Sequence, residues 1–80
     1  MNINIKDTIV LSDNNEYVVV SKLNIKNKVF YYIVDIKNIT NFKFCYEDKD
    51  ELVEVSDSEL IKNLIPLFLA KTKQVLDDEE

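Results

Sequence analysis

The sequence predicts an α+β fold: an antiparallel β-meander of four to five strands with one C-terminal helix, kinked near Pro66, packed on one face. Three observations carry this. Up to Val55 the apolar residues run in period-two segments broken by short Asn-, Asp- and Lys-rich stretches. From Leu60 onward they recur at helical spacing. The breaks between the apolar segments are short, so consecutive strands are expected to be antiparallel neighbours. Eighty residues make one domain. It is expected to span residues 1–76, with a frayed acidic tail over 77–80.

Strand one is placed near Thr8–Leu11, with Ile3, Ile5, Ile9 and Leu11 sharing a parity. Ser12-Asp13-Asn14-Asn15 is a turn. The chain has no Gly, so Asn and Asp are expected to fill positions with φ > 0. Strand two runs from Glu16 to Ile25, with Tyr17, Val19, Leu23 and Ile25 expected on one face and Ser21 among them. Lys26-Asn27-Lys28 reads as a hairpin connection. Strand three, Val29–Ile36, is apolar on both faces, which marks a central strand covered on both sides. A loop covers Lys37–Asn41. Strand four, Phe42–Glu47, turns Phe42, Phe44 and Tyr46 inward and Lys43, Cys45 and Glu47 outward. Asp48-Lys49-Asp50 turns the chain into a short fifth strand, Glu51–Val55.

The helix is expected to begin with Ser56 as N-cap and Glu59 completing a capping box. Asp57 and Glu59 would complement its dipole. Its apolar positions continue to Val75 and Leu76. Pro66 removes one backbone bond and lies opposite the apolar arc, so a kink there would bend the helix around the core. That arc, from Leu67 through Leu60, Leu64, Phe68, Ile61 and Ile65 to Leu69, is wider than the ~100° stripe a surface helix needs. Either a small sheet with long aromatic side chains wraps it, or part of it is exposed and meets a partner or a second copy.

Composition narrows the function. The net charge is −5, and all ten basic residues are Lys. A nucleic-acid binder normally presents a basic face, often with Arg, and an anionic membrane surface asks for the same. Neither direct nucleic-acid binding nor membrane binding is expected, whereas basic protein partners are favoured. The longest apolar run, Leu64–Ala70, is too short to span a bilayer, and Met1–Asp13 does not read as a signal peptide. The lone Cys45 cannot staple a monomer, which suits a reducing cytoplasm.

No catalytic, cofactor or metal site is expected. The chain has no His, so Cys45 has no imidazole to activate it, and a strand thiol normally behaves as a small hydrophobe. Seven carboxylates between Glu47 and Glu59 could attract calcium. Leu52 and Val53, however, fall where an EF-hand loop needs an oxygen ligand and a turn glycine. A solvated hairpin and a helix cap explain them. Without Gly no phosphate-cradling loop of the usual kind exists. The strand aromatics could form a stacking platform, but such platforms lie in a positive groove, and these strands carry Asp35 and Glu47.

The order of segments Thr8–Asn15, Glu16–Val20, Lys28–Tyr32 and Glu51–Asp57, the last leading into an acidic-started helix, resembles the YrzB-like small proteins of low-GC Gram-positive bacteria. That is a family of unknown function. The resemblance spans about Asp7–Leu69. It lacks the Gly expected in the first two turns. It implies a cytoplasmic, bacterial or phage-borne protein and supplies no catalytic residue.

The sequence therefore leads to a small non-enzymatic interaction or regulatory module, with a homodimer as one outcome. The expected contact surface combines the exposed helix residues Ile61, Ile65 and Leu69 with the acidic hairpin residues Glu47, Asp48, Asp50, Glu51 and Glu54. Apolar contact would supply affinity and the carboxylates would steer a basic partner. The alternative is an acidic phage-type inhibitor that occupies the nucleic-acid-binding groove of a target enzyme.

Overall fold

The structure, a computed structural model, describes the backbone of residues 3–78 and the side chains of residues 3–71. Five strands form one antiparallel sheet in the order β1-β2-β3-β4-β5: Thr8–Val10, Glu16–Ile25, Lys28–Asp35, Phe42–Asp48 and Glu51–Glu54. One helix, α1, spans Ser58–Asp78. The expected meander and C-terminal helix are both present. Asp77 and Asp78 belong to the helix, while residues 79 and 80 lie outside the described residues. Val75 and Leu76 lie on its backbone, beyond the described side chains.

The turns solve the problem set by a glycine-free chain. Lys26 and Asn27 have φ of 50° and 66°, and Lys49 and Asp50 have 51° and 65°. Two consecutive positive φ values are what a two-residue type I′ hairpin requires, because that turn matches the twist of its strands. Lys therefore sits in the left-handed region in both hairpins, where a Cβ is unfavourable. In the first turn, Asn14 has φ of 64°. There the Asp13 carboxylate accepts the Asn15 N–H at 2.9 Å, a local side-chain substitute for a backbone turn.

A β-bulge in β2 corrects the expected facing of that strand. Val19 pairs with Ile33 but Ser21 pairs with Tyr32, so Val20 is an extra residue. Side chains alternate with period two, and one inserted residue reverses the parity. Tyr17 and Val19 consequently face the side shared by Ile33. Leu23 pairs with Phe30 and faces the opposite side. Tyr17, Val19, Leu23 and Ile25 do not share a face.

The sheet thus serves two cores. On the helix face, Phe30, Phe44 and Val55 pack with Leu64 and Phe68 of α1, flanked by Leu23, Ile25, Tyr32, Tyr46, Leu60 and Ile61. On the other face, Tyr17, Val19, Tyr31, Ile33 and Cys45 form a second buried cluster. Ile9 from β1 and Leu52 from β5 both pack on it, so the sheet curls and this face is concave. Cys45 is fully buried there. The sequence reading had turned Lys43, Cys45 and Glu47 outward. They instead line the concave face, where the curl rather than a second helix excludes water. β3 contributes to both cores, as its two-sided apolar pattern requires.

The helix begins one residue later than the sequence suggested. Asp57, not Ser56, is the N-cap: its carboxylate accepts the Glu59 N–H at 3.0 Å, and its carbonyl accepts the Ile61 N–H at 3.0 Å. A carboxylate at this position also complements the helix dipole. The Val55 N–H donates to the Phe44 carbonyl at 2.8 Å and holds the entry to the helix against β4. Pro66 lies within the single helix on its exposed side.

Replacing the Lys49-Asp50 turn by Asn-Gly is expected to raise unfolding stability by about 1 kcal/mol, since Gly removes a left-handed Cβ and Asn tolerates the first position best. Urea denaturation at neutral pH measures it. A loss of stability would show that the turn is not of this type.

Candidate functional site

The helix crosses the sheet with Leu64 and Phe68, four residues apart, as its buried ridge. The rest of its wide apolar arc is only partly covered. Ile65 is 37% exposed, Leu67 46% and Leu69 64%. On one flank of the helix, Ile65, Phe68 and Leu69 meet Tyr32, Phe42 and Phe44 of the sheet and enclose an apolar groove of about 120 Å³. Phe42, the first residue of β4, is 44% exposed.

The groove floor is a set of packed rings. Phe44 stacks on Phe68 at 5.3 Å between centroids, Tyr32 lies 5.4 Å from Phe44, and Phe42 meets Tyr32 edge-on at 5.7 Å. These separations fall in the favourable range for aromatic pairs, so the rings of the floor pack on one another. Beyond it, Val18, Val34 and Phe42 lie side by side across three strands on the same face. Val18 and Val34 are half-buried.

The eight residues expected at the contact surface divide. Ile65 and Leu69 line the groove. Ile61 packs half-buried against the helix-face core, so it supports the helix rather than presenting itself. Glu47 and Glu54 face the concave side through their pairing with Leu52 and Cys45, whereas Asp48 and Glu51 pair with each other at the hairpin tip. Asp48, Asp50 and Glu51 are exposed. The hairpin carboxylates therefore do not form one patch continuous with the groove. The sequence reading missed Phe42, which it turned inward with Phe44, and Tyr32, which it placed on a strand apolar on both faces. The available signal was position: Phe42 opens its strand right after a loop.

Glu47 and Glu54 have structural occupations. The Tyr31 hydroxyl donates to Glu47. The Lys43 ammonium donates to Glu54 at 2.9 Å, lies 3.9 Å from Asp13 and stands 6.0 Å over the Tyr17 ring. The Tyr17 hydroxyl donates to Asp13 at 2.7 Å, and Asn41 links Tyr17 to Asp35 at 3.4 and 3.3 Å. These contacts bring polar groups from four segments to one end of the concave core. Among the described residues no buried side-chain polar atom lacks a partner.

Five groups, Asp13, Tyr17, Tyr31, Lys43 and Cys45, are shifted away from neutral pH. Burial pushes the Cys45 thiol up to about 11, with the Glu54 charge adding to it. Burial, then the bond to Glu47, raises the Tyr31 hydroxyl, and burial followed by Asp13 raises Tyr17. The bond to Glu54 raises the Lys43 ammonium. The Asn15 N–H, followed by the Tyr17 hydroxyl, lowers Asp13. Such shifts lock each group in its resting protonation state, the reverse of what a general acid or base at neutral pH requires. Among the described residues no three potential ligands from His, Cys, Asp and Glu gather as a metal site would need. No described helix is long and apolar enough to cross a membrane.

No protein-family model, curated protein or solved structure matches the chain.

The depressed Asp13 value gives a pH dependence. The folded value lies below the ordinary 3.8, so its bonds contribute stability that is present above pH 3.8 and lost as pH falls through the folded value. Asp13→Asn, with no proton to take up there, is expected to be less stable at pH 7 and to lose less on acidification. Urea midpoints between about pH 5 and pH 2 measure this, and an unchanged slope would contradict it.

Proposed function

We propose that this chain is a small non-enzymatic interaction module that binds a partner protein through the groove between α1 and β4. One observation carries the reading: Phe42, Ile65 and Leu69 stay exposed together over a floor of packed rings, on a chain otherwise able to bury its aromatics. Exposed apolar residues gathered on a preformed surface mark contact sites. A groove with aromatic walls suits an apolar side chain of the partner as anchor. The exposed carboxylates Asp48, Asp50 and Glu51 would add long-range attraction for a basic partner without touching the anchor.

The protonation states support the non-enzymatic part of the reading. The buried thiol, both shifted tyrosines and the shifted lysine all hold their protons more firmly than usual. The resemblance to the YrzB-like proteins, with the cytoplasmic and bacterial or phage origin it implies, is part of this proposal. The same holds for the absence of direct nucleic-acid binding. The acidic-inhibitor alternative draws on the carboxylates alone. It is weakened because Glu47 and Glu54 already pair with Tyr31 and Lys43.

Leu69→Asp changes the most exposed groove residue and is expected to keep a cooperative urea transition. It should weaken partner capture from host lysate, or self-association in sedimentation, by at least about tenfold, the effect of losing one anchor worth 1–2 kcal/mol. Capture that survives high salt but fails in the variant supports the groove. Capture lost at high salt and unchanged in the variant transfers the function to the carboxylates.

A further inference from the structure

Among the described residues, the two terminal strands of the sheet, β1 and β5, each have a single hydrogen-bonded neighbour. The curl of the sheet sets them on opposite walls of one cleft of about 510 Å³, with Ile9 and Leu11 on one side and Leu52 and Glu54 on the other. The cleft opens on the concave side, away from the helix groove, and does not depend on the reading of that groove.

Topology says what fits between them. In a five-stranded meander the first and last strands run parallel to each other. One strand inserted antiparallel to both would extend the sheet on each side with the same ladder that joins its other pairs. Exposed edges are commonly blunted by Lys or Pro. Thr8–Val10 and Glu51–Glu54 contain neither.

Charge selects the occupant. β1 has no charged residue and β5 has Glu51 and Glu54, with no base. Pairing β5 with its counterpart in a second copy would set carboxylates against carboxylates. Glu51 and Leu52 are adjacent in the strand and face opposite sides. A complementary strand would therefore alternate aliphatic side chains toward Leu52 with basic ones beside Glu51.

We infer that the β1–β5 cleft accepts one extended segment of a partner protein by strand addition, antiparallel to both edges. Its aliphatic side chains rest on Ile9, Leu11 and Leu52, and its alternate Lys or Arg residues lie beside Glu51. Backbone bonds supply the affinity and alternate side chains the selection.

The test is a titration of the ¹⁵N-labelled chain with a short acetylated, amidated peptide alternating lysine and valine. The expected result is amide shifts concentrated in Thr8–Val10 and Glu51–Glu54. Glu51→Lys should weaken binding by about threefold, as for one exposed charge pair. That variant retains a fold-compatible pair, because position 51 is exposed and lies opposite Asp48. N-methylation of the peptide valines should abolish binding. The inference is overturned by no shift at millimolar peptide, by shifts centred on Ile65 and Leu69, by binding that tolerates N-methylation, or by equal binding of a glutamate–valine peptide.

Discussion

One inserted residue, Val20, organises this protein. Ahead of it, β2 turns Tyr17 and Val19 to the concave face; after it, the strand turns Leu23 to the helix face. Without that reversal Tyr17, Val19, Leu23 and Ile25 would all face one side. With it, a small sheet builds a separate core on each face. Bulges also bend and twist the strand that carries them, consistent with a curl that brings both edges onto one cluster. The N-terminal segment is secured at the same place, since Lys6 donates to the Val19 carbonyl and Val19 donates to the Asp7 carbonyl, each at 2.8 Å.

The two cores are built from different material. The helix-face core is held by rings and aliphatic side chains, and its incomplete cover leaves an apolar groove beside α1. The concave core accommodates phenol and ammonium groups because each finds a partner, and the Cys45 thiol is buried among them. Unpaired buried groups would cost more than the bonds contribute. The acidic residues divide accordingly. Asp13, Glu47 and Glu54 satisfy Lys43 and the two buried tyrosines, while the tip carboxylates stay in water and carry the surface charge. An acidic composition therefore does not translate directly into an acidic binding site.

The strands, the hairpin turns and the helix were legible because each has a local cause: period-two runs, Asn and Asp at turns, and helical spacing after Val55. Cys45 was misplaced because alternation shows which residues share a face, not whether water reaches it. The curl that buries it depends on Ile9 and Leu52 meeting the same cluster from strands far apart in the chain. The bulge was invisible for a similar reason: Tyr17, Val19, Leu23 and Ile25 keep one parity, and only pairing with β3 exposes the extra residue. Of the groove, Ile65 and Leu69 followed from helical geometry. Phe42 did not, because alternation puts it on the covered face with Phe44 and does not show how much of it is covered. The N-cap moved one residue from Ser56 to Asp57, both good caps, and only the geometry of the first turn separates them.

The most direct test of this arrangement is deletion of Val20, followed by urea denaturation read by tyrosine fluorescence. Removing the extra residue leaves Val19 opposite Ile33 and Ser21 opposite Tyr32 in one continuous register, so every remaining side chain of β2 keeps its face. The account predicts that the variant still unfolds in one cooperative transition, because both cores keep their residues. A broad, non-cooperative transition or an unfolded chain would contradict it, because Val20 would then be more than a surplus residue in the pairing.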